Sequence, residues 1–339
     1  MRLFLDSLYI HNGGGKVLLE YFVRKIELER WKVVYLFDSR LDINGFEIKS
    51  SNIILIRKGS IIARHRAYER FLNEKDVVFC FGNVPPFKKY KNKVITYFHQ
   101  RLFLSVSKEI PTGEKYYLKL KSFVVFLLCV NTDFWVVQTF SMKNEMLRKV
   151  STTSADKIRV IPFFDSSESK RLGNRKLKGS YIYVSDGHSH KNHLRLIEAF
   201  SKYYTEKRQG ILYLTISDVF EELLDTISNY TKRGIPIYNL GFISRVKLSE
   251  VYEQTEYLIY PSLSESFGLG LLESARFGCK IIAADLPYVH AVCRPSLLFD
   301  PLMVPSIFEA LVKSGNEDVN DTTLKVKNEL ESLLKLIQS

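Results

Sequence analysis

Twice along the chain, apolar β-rich runs alternate with stretches of helical periodicity, and few architectures accept that order. The first series opens with MRLFLDS, HNGGGK and VLLEYFVRKIELERW, which reads as strand, glycine turn and helix. WKVVYLFD, NIILIRK, DVVFCFGN and KVITYFHQ continue as β-rich runs, and DFWVVQTF leads into the helical SMKNEMLRKV. The series breaks at the polar, basic stretch within DKIRVIPFFDSSESKRLGNRKLKG and then restarts. YIYVSD, KNHLRLIEAFSKYY, GILYLTIS, FEELLDTISNYTKR and IPIYNLGFI alternate strand with helix, and RVKLSEVYEQ, EYLIYPS, GLGLLESARFG and KIIAAD extend the pattern. Alternation of this kind predicts parallel sheets covered by helices.

A chain of 339 residues has room for two such domains. The expectation is an α/β protein with two doubly wound domains facing a central cleft, ligands binding at the carboxyl ends of the strands. The boundaries read as 1–160 for the first domain, 161–180 for a linker and 181–318 for the second domain. The tail, 319–339, has helical periodicity from about Asn320 to Gln338 and is expected to pack back on the first domain.

Charge is unevenly placed. Residues 1–160 hold 28 Lys and Arg against 15 Asp and Glu, a net +13, whereas residues 161–339 are close to neutral. A basic front half suits an anionic surface, membrane lipid or nucleic acid, and also suits a merely soluble basic face. PPFKKYKNK and KYYLKLKSFVVFLL mix cations with aromatic and aliphatic residues, as a membrane-surface segment would. The longest apolar run, Phe123 to Val130, is shorter than the ~20 residues of a spanning helix. Cys80, Cys129, Cys279 and Cys293 form neither a C-x-x-C pair nor a cluster of metal spacing, which fits a reducing cytosol. The first 15 residues do not read as a secretory signal. The expected location is cytoplasmic, peripheral on the inner face of the membrane.

The stretch PSLSESFGLGLLESARFGCKIIAAD places Glu265 in a loop after a strand, Gly268 and Gly270 where a helix should start, and Glu273 about 7.5 Å further along. Unpaired amides at a helix start attract anions, and glycine lets a phosphate approach the backbone. A diphosphate there would have a carboxylate toward each end, able to accept hydrogen bonds from sugar and ribose hydroxyls. On spacing alone, a surface acid and a favourable first-turn charge explain the two equally well.

YPSLSESFGLGLLESARFGCKIIAAD resembles the signature of GT-B glycosyltransferases of family 4: a proline-serine strand end, Glu, seven residues, Glu, a small-residue helix and a strand. YVSDGHSHKNHLRLIEAF is similar to the donor-domain opening of the same family and places Lys191. The resemblance covers Tyr181 to about Pro301. More loosely, HNGGGKV resembles the family's glycine loop, placing Gly13, Gly14 and Gly15, and KVITYFHQ resembles the strand whose terminal His99 faces the sugar. CFGNVPP and YFHQRLFL are similar to members that build bacterial surface polysaccharides.

The resemblance implies two Rossmann-like domains and a retaining hexosyl transfer from a nucleotide diphosphate donor, with front-face attack. Glu265, Lys191 and His99 would be catalytic. Glu273, Gly268, Gly270, Phe267, Leu269, His190 and Arg245 would bind the donor. The acceptor would be a lipid-linked oligosaccharide of O-antigen or capsule type, held at an anionic membrane, with no metal, no cofactor and no specific nucleic acid. One departure matters: the family's arginine five or six residues before the lysine is replaced by Asp186 and Ser185. His188, His190 or Arg245 would have to supply the missing cation. A GT-B nucleotide-sugar epimerase and a nonenzymatic basic nucleic-acid binder are the competing readings.

Overall fold

The computed structural model describes residues 2–107, 109–150, 153–166, 176–316 and 318–339. Contacts divide the chain into two compact units. One comprises Met1–Val106, Pro111–Ser166 and Lys327–Ser339; the other comprises Ser107–Ile110 and Ser167–Val326. Of the expected linker 161–180, residues 167–175 lie outside the described residues.

In the first unit, β1 (Arg2–Ser7), β2 (Lys32–Asp38), β3 (Ile53–Arg57), β4 (Asp76–Cys80), β5 (Val94–Tyr97), β6 (Phe134–Val137) and β7 (Ile158–Val160) form one sheet. Its order is β3-β2-β1-β4-β5-β6-β7, with every pairing parallel. The helix Gly13–Leu28 connects β1 to β2 on one side, and the helix Ile61–Phe71 carries the chain from β3 across to β4 on the other. Strand order therefore reverses between β1 and β4, and the loops at their carboxyl ends splay apart there.

Those loops are tied down by a buried ion pair. Arg64 Nε donates to Asp6 Oδ2 at 2.6 Å, and the same guanidinium donates to the carbonyls of Val84 at 2.7 Å and Pro85 at 2.8 Å. Tyr68 completes the group with a hydroxyl donated to Asp6 at 2.7 Å. A buried charge pair survives only when its remaining polar atoms are satisfied, and here backbone carbonyls do so.

The second unit repeats the logic with β8 (Leu177–Tyr183), β9 (Ile211–Leu214), β10 (Ile237–Asn239), β11 (Thr255–Tyr260), β12 (Lys280–Ala284), the two-residue β13 (Cys293–Arg294) and β14 (Leu297–Phe299). The sheet runs β10-β9-β8-β11-β12-β14, again all parallel, and its reversal lies between β8 and β11. Both units are α/β with the hydrophobic runs buried, including Tyr181, Ile182 and Tyr183 in β8 and Leu258, Ile259 and Tyr260 in β11.

Two boundaries differ from expectation. β8 begins at Leu177, inside the span read as linker, because Gly179 and Ser180 are drawn into the sheet by Glu256: the Gly179 amide donates to its carboxylate and its own amide donates to Ser180 Oγ. The tail is helical only over Leu330–Gln338. Ahead of it, β15 (Thr323–Leu324) pairs antiparallel with β13, and Thr322 Oγ1 accepts the Ile281 amide at 2.8 Å. Those sheet bonds outcompete a helix whose only apolar residues there are Leu324 and Val326. Leu330, Leu333, Leu334 and Ile337, one face of the short helix, are buried against the first unit, where Lys93 Nζ donates to the Leu336 carbonyl.

Candidate functional site

The reversal between β8 and β11 brings two loops together, and their chemistry follows from how each leaves its strand. After β8 the chain makes a single 3₁₀ turn, Ser189–Lys191, and passes through Asn192 in the left-handed region (φ 64°) before the helix His193–Lys207. Asn192 earns that strained backbone by bridging: its Nδ2 donates to the carbonyls of Pro261 at 3.2 Å and Pro301 at 2.7 Å, which lie past β11 and β14. The Leu263 amide donates to the His190 carbonyl at 2.8 Å, and Tyr183 donates its hydroxyl to the Lys191 carbonyl at 3.0 Å. The loop after β8 is thus stitched to the loop after β11.

That stitching sets Lys191 Nζ 2.8 Å from Glu265 Oε1, with each side chain about five-sixths buried. Burial pushes the ammonium toward neutrality, but the carboxylates of Glu265 and then Asp186 outweigh it and hold Lys191 above the usual lysine value. Lys191 is therefore a fixed cation at any physiological pH.

Beyond Glu265, Gly268 takes φ 84° as the N-cap of the helix Leu269–Arg276 and Phe267 is buried beneath it. A side chain at Gly268 would be strained. Gly270 has a second reason to be glycine, since a Cβ there would sit 3.2 Å from Tyr260 Cε2. The helix start has no side-chain cap, and of its first-turn amides that of Leu271 donates to the Gly268 carbonyl at 3.0 Å. Leu269 is partly exposed at this start. Glu273, one turn on, lies 3.0 Å from Arg245 Nη2, both partly exposed. Arg245 opens the helix Arg245–Gln254, whose start is capped by Ser244.

His190 needs correcting as a source of charge. Its ring is buried, with Nδ1 lacking a partner, and burial followed by the adjacent Lys191 ammonium pushes it down to about 4. At neutral pH it is a neutral hydrogen-bonding group. His188 is exposed and stacks on it, ring centroids 5.8 Å apart. His193 is buried against Tyr183, and burial pushes it down to about 3. Among the described residues, no group of three or more His, Cys, Asp or Glu side chains could hold a metal ion.

In the first unit, His99 and the glycine loop meet. A Cβ on Gly15 would lie 3.0 Å from His99 Cε1, so glycine makes room for the ring. The Gly13–Gly15 run opens the helix Gly13–Leu28, whose start also lacks a side-chain cap. Asn83, left-handed at φ 69°, accepts the His99 amide at 2.6 Å through Oδ1. His99 Nε2 lies 3.2 Å from the Phe81 carbonyl and 3.3 Å from Asn83 Nδ2. Burial, only partly opposed by that carbonyl, pushes the ring down to about 4.

Three residues of these loops escaped the sequence reading. Asn192 was visible only as a polar residue before a helix. Gly187 lies under Phe220, whose Cγ would stand 2.4 Å from an added Cβ. Gly82 faces the Leu8 carbonyl, 2.0 Å from where a Cβ would be. Both glycines follow apolar strands in SDG and CFG, the one signal a sequence offers for close backbone approach.

Residues 165–295 match the family described as glycosyl transferases group 1. The serotype-specific mannosyltransferase WbdA of Escherichia coli is 26% identical over 117 residues, 34% of this chain but only 14% of that relative's length. The lipopolysaccharide outer core galactosyltransferase WaaB has a similar structure, with a TM-score of 0.64 at 14% identity over 94% of this chain and 92% of its own. Anabaena Alr3699/HepE, solved with UDP and glucose, gives 0.65 at 13% identity over 91% of this chain and 88% of its own. The fold is GT-B.

Proposed function

We propose that this chain is a retaining, metal-independent hexosyltransferase that moves a sugar from a nucleotide diphosphate donor to a lipid-linked glycan of bacterial surface polysaccharide, O-antigen or capsule. The observation that carries the reading is the Lys191–Glu265 pair at the strand-order reversal of the second unit, beside an uncapped helix start. The family match over residues 165–295 and the likeness to a serotype-specific mannosyltransferase support it.

In this mechanism the donor diphosphate lies against the amides at Gly268–Gly270, with Lys191 on its oxygens. Departure of the nucleoside diphosphate concentrates negative charge, and fixed donors in a half-buried site stabilise that charge more than they stabilise the intact donor. Glu265 shares its carboxylate between Lys191 and the sugar hydroxyls, so the ammonium is positioned before the donor arrives. Glu273 accepts from the ribose once Arg245 yields, and Arg245, next to it, is then the nearest candidate for the cation that Asp186 does not supply. The acceptor is held at the cytoplasmic face of the membrane.

Thermal unfolding in the presence of UDP-, GDP- and dTDP-sugars tests the donor site, because a ligand at 100 times its dissociation constant adds about 2.7 kcal/mol. One donor class should raise Tm. Product analysis with and without acceptor then separates transfer from epimerisation, and a new sugar epimer formed without acceptor would refute transfer. If none of the nucleotide sugars stabilises the protein, the donor reading fails.

A further inference from the structure

The helix Thr112–Leu127 in the first unit has two opposed faces. Leu118, Ser122 and Val125 point inward: Ser122 donates to the Phe103 carbonyl at 2.6 Å, and Val125 packs with Phe98 and Trp135. At 3.6 residues per turn, Tyr116, Leu120, Phe123 and Leu127 point about 180° away. They are 69%, 62%, 65% and 63% exposed. A soluble helix normally turns charge toward water on that face, and this one turns out aromatic and aliphatic carbon.

Cations flank the stripe on both sides. Lys119 lies on one edge, with Nζ 6.0 Å from the Tyr116 ring, and Lys121 lies on the other, 4.1 Å from the Tyr117 ring. Past the helix end the patch continues through Val130, and Asn131 Nδ2 donates to the Pro86 carbonyl, which places the exposed Phe87 and the basic KKYK run alongside. The helix is only about 24 Å long and carries lysines, and no described helix is long and apolar enough to cross a bilayer.

We propose that this face is a docking surface for an anionic lipid bilayer: Tyr116, Leu120, Phe123 and Leu127 enter the headgroup and acyl boundary while Lys119 and Lys121 lie against lipid phosphates. An in-plane helix with an apolar face, flanking lysines and amphipathic tyrosines has the chemistry of that interface. The lysines make the occupant specific, since a second copy of the chain would bring like charges onto the same patch. The proposal deepens the lipid-linked acceptor reading above by naming the surface that meets the lipid, but its physical basis is independent of the donor site.

Sedimentation with vesicles of equal parts phosphatidylglycerol and phosphatidylcholine, against pure phosphatidylcholine, tests it. Binding should need the anionic lipid and weaken with salt. Lys119→Gln and Lys121→Gln should each weaken partition about fivefold, and the triple variant Leu120→Ser, Phe123→Ser, Leu127→Ser should weaken it at least tenfold. The triple variant replaces exposed side chains, so its Tm and its stabilisation by nucleotide sugar should match the parent protein. Absence of vesicle binding, or equal binding to both lipids, overturns the proposal. So does a concentration-dependent dimer that the triple variant abolishes while vesicle binding is absent. Should no nucleotide sugar stabilise any variant while vesicle binding persists, the donor reading falls and the docking surface stands.

Discussion

At the scale of residues, Lys191 does most of the electrostatic work assigned to the donor site, and its interaction must strengthen as charge grows on the departing oxygen. Lys191→Ala should therefore lower kcat by about 10² to 10³ while weakening donor binding far less, by analogy with loss of one oxyanion donor. Steady-state kinetics with the true donor checks it, and a kcat within twofold of the parent would move the clamp elsewhere, Arg245 being the next residue to test. Glu273 offers a contrast. Its pair with Arg245 is partly exposed and worth little to folding. Glu273→Ala should leave Tm unchanged yet cost about 1.5 to 3 kcal/mol in affinity for the bare nucleoside diphosphate, measured by calorimetry. The two acids stand out in the sequence through the family resemblance, since their spacing around a glycine turn leaves a surface acid and a first-turn charge as equal explanations. The neutrality of His190 does not, since it depends on burial and on the neighbour its loop presents, neither of which a local string encodes.

Elements carry the site through close backbone approach, and here the sequence was a weaker guide. Much of the strand and helix order could be read from periodicity, because buried parallel strands are nearly continuous apolar runs and helices keep one wet face, but the helices Ile61–Phe71, Thr112–Leu127 and Val304–Asn316 are not among those read. The loops between the elements could not be read, since Gly82, Gly187 and Asn192 act through atoms far away in the sequence: Gly82 on Leu8, Gly187 on Phe220 and Asn192 on Pro261 and Pro301. Gly82→Ala sets a methyl group against a carbonyl oxygen that cannot rotate away. It should cost about 1 to 3 kcal/mol and lower Tm by several degrees. Because the same loop supplies Asn83 to the His99 amide, it should also reduce turnover beyond what the stability loss explains, which differential scanning calorimetry beside kinetics would separate. The helical tail misled for a related reason: two residues of strand pairing decided the conformation ahead of Leu330.

For the molecule as a whole, three imidazoles make stability depend on pH, those of His190 and His193 buried and that of His99 partly buried. His99 and His190 are pushed down to about 4 and His193 to about 3, in each case chiefly by burial. The unfolded chain binds these protons near pH 6.5 and the native one does not, so their stabilisation is fully present above about pH 6.5 and is lost as pH falls toward 4. Each can contribute a slope of up to about 1.4 kcal/mol per pH unit in that window. Denaturant midpoints at pH 7.5, 6.0 and 5.0 should fall in that order, and a midpoint flat across the range would exclude protonation of these rings as the cause. The path of the chain has a different consequence. Its first unit is interrupted after Ser166 and completed only by Lys327–Ser339, whose buried leucines close it. On a ribosome, roughly 160 further residues must be made before that closing helix emerges, about 10 to 30 s at ordinary elongation rates. The second unit, whose sheet is drawn entirely from that intervening stretch, has all of its strands synthesised earlier. The basic unit is therefore begun first and completed only by Lys327–Ser339, after every strand of the second unit's sheet has been made.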